Sequence, residues 1–173
     1  AQRDQNWGLP WHRNEGIEIM FVARGGVGFA TDAREHQLQA DSLTVTRPWQ
    51  PHRVGSPTIG AGRLYWVIID VGVRRPNQAW TWPAWVLLSE KDKKELWAHL
   101  HQTEGAVSKA TPEIRRCFLA ISEHLHRASL DHAITELSLQ INELLLALLR
   151  SFRSLPRRAQ RSSHCSLEAV ERY

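Results

Sequence analysis

Short apolar runs make up the first half of the chain, and turn-forming residues end each of them. The runs IEIMFVA, LTVT and RLYWVII are rich in β-branched and aromatic residues, and Gly, Pro or Asp follows each one within a few positions. Residues of the first kind favour strands, and those of the second kind favour turns. Short strands at this spacing predict a small antiparallel barrel or sandwich, which we assign to residues 1–86.

The second half has the spacing of amphipathic helices. Ser89 stands three residues before Asp92, which is close to a capping box at the start of one helix. Pro112 suits the first turn of a second helix, because its missing N–H is not needed there. We therefore predict a helical segment over residues 87–152, and an α+β fold for the chain.

The third predicted helix, from Leu130 to Phe152, carries an unusually regular apolar pattern. Residues at steps of three and four form the kind of seam that joins paired helices. This seam contains Ile134, Leu137, Ile141, Leu144 and Leu148. Further leucines beside it leave two interpretations: a helix buried on all sides in one core, or a helix that also contacts a second copy of the chain. We favour the second, so residues 87–152 are predicted to be a dimerisation segment.

Beyond Phe152 the composition changes. Residues 153–165 are polar, basic and contain proline, which predicts a linker. Residues 166–173, SLEAVERY, have the pattern of a new helix capped by Ser166. We therefore expect the native protein to continue past Tyr173.

The positive charge of the chain is concentrated in one place. The net charge is +4, and residues 150–161 contain five arginines and no acid, so the remaining residues are close to neutral. Nucleic-acid affinity depends on neutralising phosphates, so the predicted barrel and helices are not expected to bind DNA themselves. No apolar stretch reaches the roughly 18–20 residues that span a bilayer, so no membrane contact is expected.

Polar side chains surround the start of the first strong strand. His12, Asn14 and Glu18 share one parity, and Ile17 and Ile19 share the other. Side chains on a strand alternate between its two faces. We therefore expect the isoleucines to pack against an apolar partner, and Glu18 to face the lumen of the barrel.

Three interpretations of these polar residues are possible. His12, Glu18 and His52 together offer two imidazoles and a carboxylate, a set that suits divalent iron, zinc or manganese. The same groups suit hydrogen bonds to a small polar ligand. In the third interpretation Glu18 has only a structural role.

The order of these motifs resembles a known family. Six residues separate Glu18 from Gly25, as in the first cupin motif, and the spacing from Pro48 to His52 resembles the second. The longer order HRNEGIEIMFVARGGVGF, LQADSLTVTRPWQPHRVG and RLYWVIIDV resembles the N-terminal sensor domain of AraC-family transcription regulators. The resemblance implies an antiparallel, jelly-roll-like cupin barrel, then dimerising helices and a linker. A helix-turn-helix DNA-binding domain would begin at residues 166–173.

The resemblance also implies a barrel pocket for a small organic effector, often a sugar. Carried over by position, the pocket residues are Asn14, Glu18, His52, Val54, Trp66 and Ile68, and we add His12 to this ligand-binding set because it lies among the same polar groups. Val54 and Ile68 stand where the arabinose-responsive member has aromatic contacts, so arabinose itself is not expected. Trp66 shares a strand face with Ile68, and we expect its ring to pack against the C–H groups of a sugar.

A metal-binding cupin has a His-x-His pair upstream of the glutamate, and here only His12 is present. We therefore expect no metal and no cofactor, and a regulator rather than an enzyme. The alternative is a metal-dependent cupin enzyme, such as an isomerase or a dioxygenase. The resemblance further implies a cytoplasmic bacterial homodimer that contacts DNA only through its missing C-terminal domain.

Overall fold

The computed structural model describes residues 8–59, 61–102, 106–127 and 130–154. The fold is α+β, as predicted, with antiparallel strands followed by helices. The strands are β1 (Leu9–His12), β2 (Gly16–Arg24), β3 (Gly26–Thr31), β4 (Glu35–Gln39), β5 (Ser42–Thr46), β6 (His52–Ile59), β7 (Arg63–Asp70) and β8 (Ala106–Lys109). The helices are α1 (Glu90–Gln102), α2 (Pro112–Arg127) and α3 (Leu130–Ser154).

The strands form two separate four-stranded antiparallel sheets. The first sheet has the order β1-β6-β3-β4, and the second has the order β7-β2-β5-β8. The prediction of a closed barrel is therefore corrected. Among the described residues, β1 and β7 each pair with one neighbour and remain edge strands, so the two sheets face each other without joining into a ring.

Two apolar clusters place the sheets and helices in layers. The smaller cluster lies between the sheets and contains Met20, Val22, Val27, Phe29, Leu38 and Val54. The larger cluster joins the other face of the second sheet to the helices. Ile17, Ile19 and Phe21 of β2 belong to it, and the ring of Phe21 stacks on that of Phe118 with centroids 5.5 Å apart. The predicted alternation of β2 between two faces is thus observed.

Strand β8 lies inside the segment that was predicted to be helical. It follows α1 and pairs with β5, where Leu43 is opposite Ser108. The sequence AVSK is too short to show an alternating pattern. Its pairing partner supplies the hydrogen bonds that hold it extended.

The starts of α1 and α2 agree with the predictions for Ser89 and Pro112, and Thr111 caps α2 in addition. The Ser89 hydroxyl accepts a hydrogen bond from the N–H of Asp92 at 3.1 Å, and the Thr111 hydroxyl accepts one from Ile114 at 3.3 Å. Pro112 occupies the first turn of α2. No helix in the described part of the chain is long and apolar enough to cross a bilayer.

The apolar seam of α3 divides into two parts. Leu144 and Leu148 are fully buried in the core of their own chain. Leu137 and Ile141 are half-buried against that core, and Ile134 is 61% exposed. The C-terminal half of the seam is therefore buried in the core that α3 shares with α2, and its N-terminal half remains accessible.

Candidate functional site

A cluster of polar side chains lies at one end of the two sheets. His12 ends β1, His52 begins β6 and Glu18 lies in β2, so the cluster draws on both sheets. His12 pairs with His52 across the first sheet, and their ring centroids are 4.3 Å apart. The structure thus brings together three residues that the sequence placed on separate segments.

His52 and Glu18 form the centre of the cluster. The Nε2 atom of His52 lies 3.3 Å from Oε2 of Glu18, and the side chains are 1% and 9% exposed. The other ring nitrogen of His52, Nδ1, donates to the carbonyl oxygen of Gln50 at 2.9 Å. Both ring nitrogens are therefore occupied, and the imidazole is fixed in orientation.

The environment of His52 shifts its pKa. Burial alone lowers the pKa, because it disfavours the charged imidazolium. The hydrogen bond to Glu18, the bond to the carbonyl of Gln50 and the negative charge of Glu18 together outweigh burial and raise the pKa of His52 above its ordinary value. The contact with Glu18 therefore favours the protonated form of His52.

Asn14 joins the cluster from the segment between β1 and β2. Its side-chain amide donates a hydrogen bond to Oε2 of Glu18. Its backbone carbonyl accepts a hydrogen bond from the N–H of Trp49 at 2.8 Å, which holds this segment against the turn before β6. Asn14 therefore helps to orient the carboxylate of Glu18.

Thr46 is a member of the site that the sequence analysis missed. It lies directly opposite Glu18 in the β2–β5 pairing, so the two side chains share a face. The residue is 2% exposed, and its hydroxyl has no hydrogen-bond partner among the described residues. Buried hydroxyls are normally paired, so this one is placed to bond to a ligand or to an ordered water molecule. Parity of β5 alone could not reveal that its hydroxyl would be left unpaired.

Trp66 and Ile68 border the cluster on the open side. In the β2–β7 pairing Ile68 lies opposite Glu18, and Trp66 lies opposite Met20. Trp66 is 59% exposed and Ile68 is 49% exposed. A side chain at Gly16 would meet the carbonyl oxygen of Ile69 at 2.5 Å, so only glycine permits this close approach of β2 to β7.

Val54 is placed differently from the other predicted residues. It is 2% exposed and belongs to the apolar cluster between the sheets. That cluster fills the space where the sequence analysis expected an open lumen. A ligand at the polar cluster would therefore approach from the side of Trp66 and Ile68.

A depression lies apart from the polar cluster, among β3, β4 and β6. Its lining residues are Gly28, Phe29, Ala30, Glu35, His36, Gln37 and Arg53. It contains neither Glu18 nor His52, and the Arg53 guanidinium that lines it is already paired with Glu35 at 2.5 Å. The buried polar cluster is therefore the better candidate site.

His12, Glu18 and His52 also have the composition of a metal site. Each offers one ligand atom, and these atoms all lie within 4.8 Å of one another. The set is two imidazole nitrogens and one carboxylate oxygen, which suits divalent transition ions. The cluster can therefore serve either as a hydrogen-bonding site or as a set of three metal ligands.

The family of the chain follows from a sequence match over most of its length. The AraC-like ligand binding domain family matches residues 1–149. The chain therefore belongs to the AraC-like ligand binding domains. The resemblance found in the motifs is confirmed. A comparison with the curated proteins finds no match.

The fold is similar to solved structures of ToxT from Vibrio cholerae. A ligand-free point variant of ToxT has a TM-score of 0.51 at 7% identity, over 87% of this chain and 54% of that chain. Wild-type ToxT with a bound unsaturated fatty acid has a TM-score of 0.38 at 8% identity, over 83% and 47%. At such identities the first likeness shows the fold alone. The chain spans about half the length of these structures.

Proposed function

We propose that the chain is the effector-sensing and dimerisation region of an AraC-type transcription regulator. In this proposal a small polar ligand binds at His12, Asn14, Glu18 and His52. Membership of the ligand-binding family supports the sensing role over an enzymatic one. The location is carried by one observation: the buried His52–Glu18 pair lies beside the unpartnered hydroxyl of Thr46. A bound ligand supplies the partner that this hydroxyl lacks.

A sugar is the ligand class that we propose. Its hydroxyl groups both donate and accept, so one can donate to the carboxylate of Glu18 while another bonds to Thr46. Its C–H face can pack against Trp66, whose large ring is 59% exposed beside the cluster. Ile68 adds aliphatic surface at the same border. The polar and the apolar halves of the site thus match the two faces of a sugar ring.

Strand β2 is the proposed route from ligand to helices. Glu18 faces the site, and Ile17 and Ile19 on the opposite face pack in the cluster that includes α2 and α3. A ligand that moves Glu18 therefore acts on the strand that supports the helices. Ligand binding would shift the population of helix arrangements and so the placement of the attached DNA-binding domains.

The dimer contact that we propose uses the accessible half of the α3 seam. Ile134, Leu137 and Ile141 lie on one row of the helix, and all three retain exposed surface. Leu144 and Leu148 continue that row but are buried in their own chain. In this proposal they fix α3 to its own chain and do not contact the second chain.

Thermal unfolding in the presence of a panel of sugars tests this function. The protein is kept in excess chelator, so that metal ions cannot contribute. A sugar at 100 times its Kd should stabilise the folded state by about 2.7 kcal/mol, or roughly 5–10 °C in Tm. No shift with any sugar would contradict the ligand class. A shift with an unsaturated fatty acid, included because one is bound to ToxT, would replace the sugar by an amphipathic acid.

A further inference from the structure

Beyond the proposed effector, we infer that His12, Glu18 and His52 form a binding site for one divalent first-row transition-metal ion. Their ligand atoms lie within 4.8 Å of one another. Nitrogen and oxygen ligands stand at about 2.0–2.2 Å from such an ion, which places them roughly 3–4 Å apart. A contraction of about one ångström therefore brings the three groups to coordination distance. Rotation of the side chains can bring the ligand atoms this much closer. His12 has room to move, because β1 is an edge strand and the residue is only half-buried.

Backbone carbonyls set both imidazoles in the form that binds metals. Nδ1 of His12 lies 2.7 Å from the carbonyl oxygen of Pro10, and Nδ1 of His52 lies 2.9 Å from that of Gln50. A carbonyl oxygen can only accept, so in each ring Nδ1 carries the proton and Nε2 is left for the cluster. Metal-binding histidines are held by the same kind of bond from their second nitrogen. Two independent rings with this arrangement favour coordination over a chance contact.

The carboxylate is supported in the same way. The amide of Asn14 donates to Oε2 of Glu18, which leaves Oε1 without a bond to Asn14. An ion between Glu18 and His52 would replace their 3.3 Å contact. The hydroxyl of Thr46, buried and unpartnered on the same face, can then bond to a water molecule on the ion.

The donor set decides the class of ion. Two imidazoles and one carboxylate suit zinc, iron, cobalt or nickel, whereas magnesium and calcium take mainly oxygen ligands. Three protein ligands leave at least one open position on the ion, where water or a hydroxyl of a ligand can bind. No metal was expected from the sequence, because the His-x-His pair of metal-binding cupins is missing. The structure shows that the remaining imidazole of that pair and the one from β6 still converge on Glu18.

Equilibrium dialysis of tag-free, chelator-stripped protein against Zn²⁺ and Co²⁺ tests this site. We expect one ion per chain, and visible d–d bands for bound Co²⁺. Magnesium at the same concentration should not compete. No sugar is present, so the result is independent of the effector test, which is run in chelator. A negative result in one experiment leaves the other unaffected.

Matched histidine variants separate the site from adventitious binding, since the chain has nine histidines. His12→Ala should weaken Co²⁺ binding about tenfold or more and change the visible spectrum. His36→Ala is the control: His36 lies on β4, and its ring is 6.5 Å from Phe29, which separates it from His52. Equal binding by wild type and both variants would overturn the site, as would no binding by the wild type.

A variant at a second proposed metal-coordinating residue separates loss of the metal site from a folding defect. Glu18→Gln keeps the size of the side chain but removes its charge, and it should also weaken Co²⁺ binding about tenfold or more. Circular dichroism of each variant checks that the sheets are retained. Full Co²⁺ affinity in a folded Glu18→Gln protein would contradict the inference.

Discussion

The Nε2 atom of His52 lies 3.3 Å from Oε2 of Glu18, although the two residues are 34 positions apart and belong to different sheets. Their contact joins β6 of the first sheet to β2 of the second. Both side chains are buried, so a molecule that binds between them acts directly on the way the sheets meet. Because β2 also packs against the helices, this contact links the candidate site to the helical half of the fold.

Trp66→Ala tests the apolar half of the site. If the ring packs against a sugar, its loss should weaken binding of the sugar found in the panel about tenfold, which corresponds to roughly 1.4 kcal/mol. The Tm without ligand should change little, because Trp66 is 59% exposed. Trp85→Ala is the control, since Trp85 is also exposed but lies between β7 and α1. Calorimetric titration measures the sugar affinity of both variants. If Trp66→Ala binds the sugar as tightly as Trp85→Ala and the wild type, Trp66 is not part of the site.

Leu144→Ala tests the docking of α3 in its own chain. The side chain is fully buried, so its truncation should lower the free energy of unfolding by about 2–5 kcal/mol. Leu139→Ala, at a position of α3 that is 54% exposed, should lower it by no more than about 0.5 kcal/mol. Urea denaturation at one fixed protein concentration compares the two. Similar stability losses would contradict the placement of the seam.

Ile134→Glu tests the proposed dimer contact. The residue is 61% exposed, so a charge there should leave the fold intact but separate the two chains. Leu139→Glu introduces the same charge on the same helix, about 140° around its axis, and should leave the dimer intact. Sedimentation velocity distinguishes monomer from dimer. A dimer that survives Ile134→Glu and separates on Leu139→Glu would move the contact to the other face.

Cys117 should be unreactive in the folded protein. It is 1% exposed, and burial, together with the negative charge of Glu143, raises the pKa of its thiol to about 11. At pH 8 only about one thiol in a thousand is then the reactive thiolate. In a Cys165→Ser variant, which leaves Cys117 as the single thiol, labelling should be slow until denaturant is added. Rapid labelling of the native protein would show that α2 is not packed as described.

Much of the fold could be predicted from local pattern. The alternation of Ile17, Glu18 and Ile19 between two faces is a property of any strand, and the structure places them as expected. The cap at Ser89 and the place of Pro112 in the first turn of α2 depend only on residues within one turn of the helix start. These features are local, so a single sequence is enough to reveal them.

Other features depend on which segments meet. The four residues of β8 become a strand because β5 offers them an unpaired edge. Leu144 and Leu148 share the spacing of Ile134. They are buried and Ile134 is not, because only the C-terminal half of α3 lies in the core shared with α2. Thr46 could not be predicted as a site residue from its own strand. It belongs to the site because it lies opposite Glu18 and its hydroxyl has no hydrogen-bond partner in the described part of the chain. Such facts depend on tertiary contacts, which spacing alone does not fix.

The central claim is that the effector binds at Glu18, and calorimetric titration of the Glu18→Gln protein tests it most directly. The sugar that stabilises the wild type is titrated, in chelator, into wild type, Glu18→Gln and a Glu35→Gln control, in which an exposed carboxylate of β4 is changed. A hydrogen bond to a charged group contributes about 1.5–3 kcal/mol, so Glu18→Gln should raise Kd roughly 10- to 100-fold, while Glu35→Gln leaves it unchanged. Undiminished affinity in a folded Glu18→Gln protein would contradict the claim.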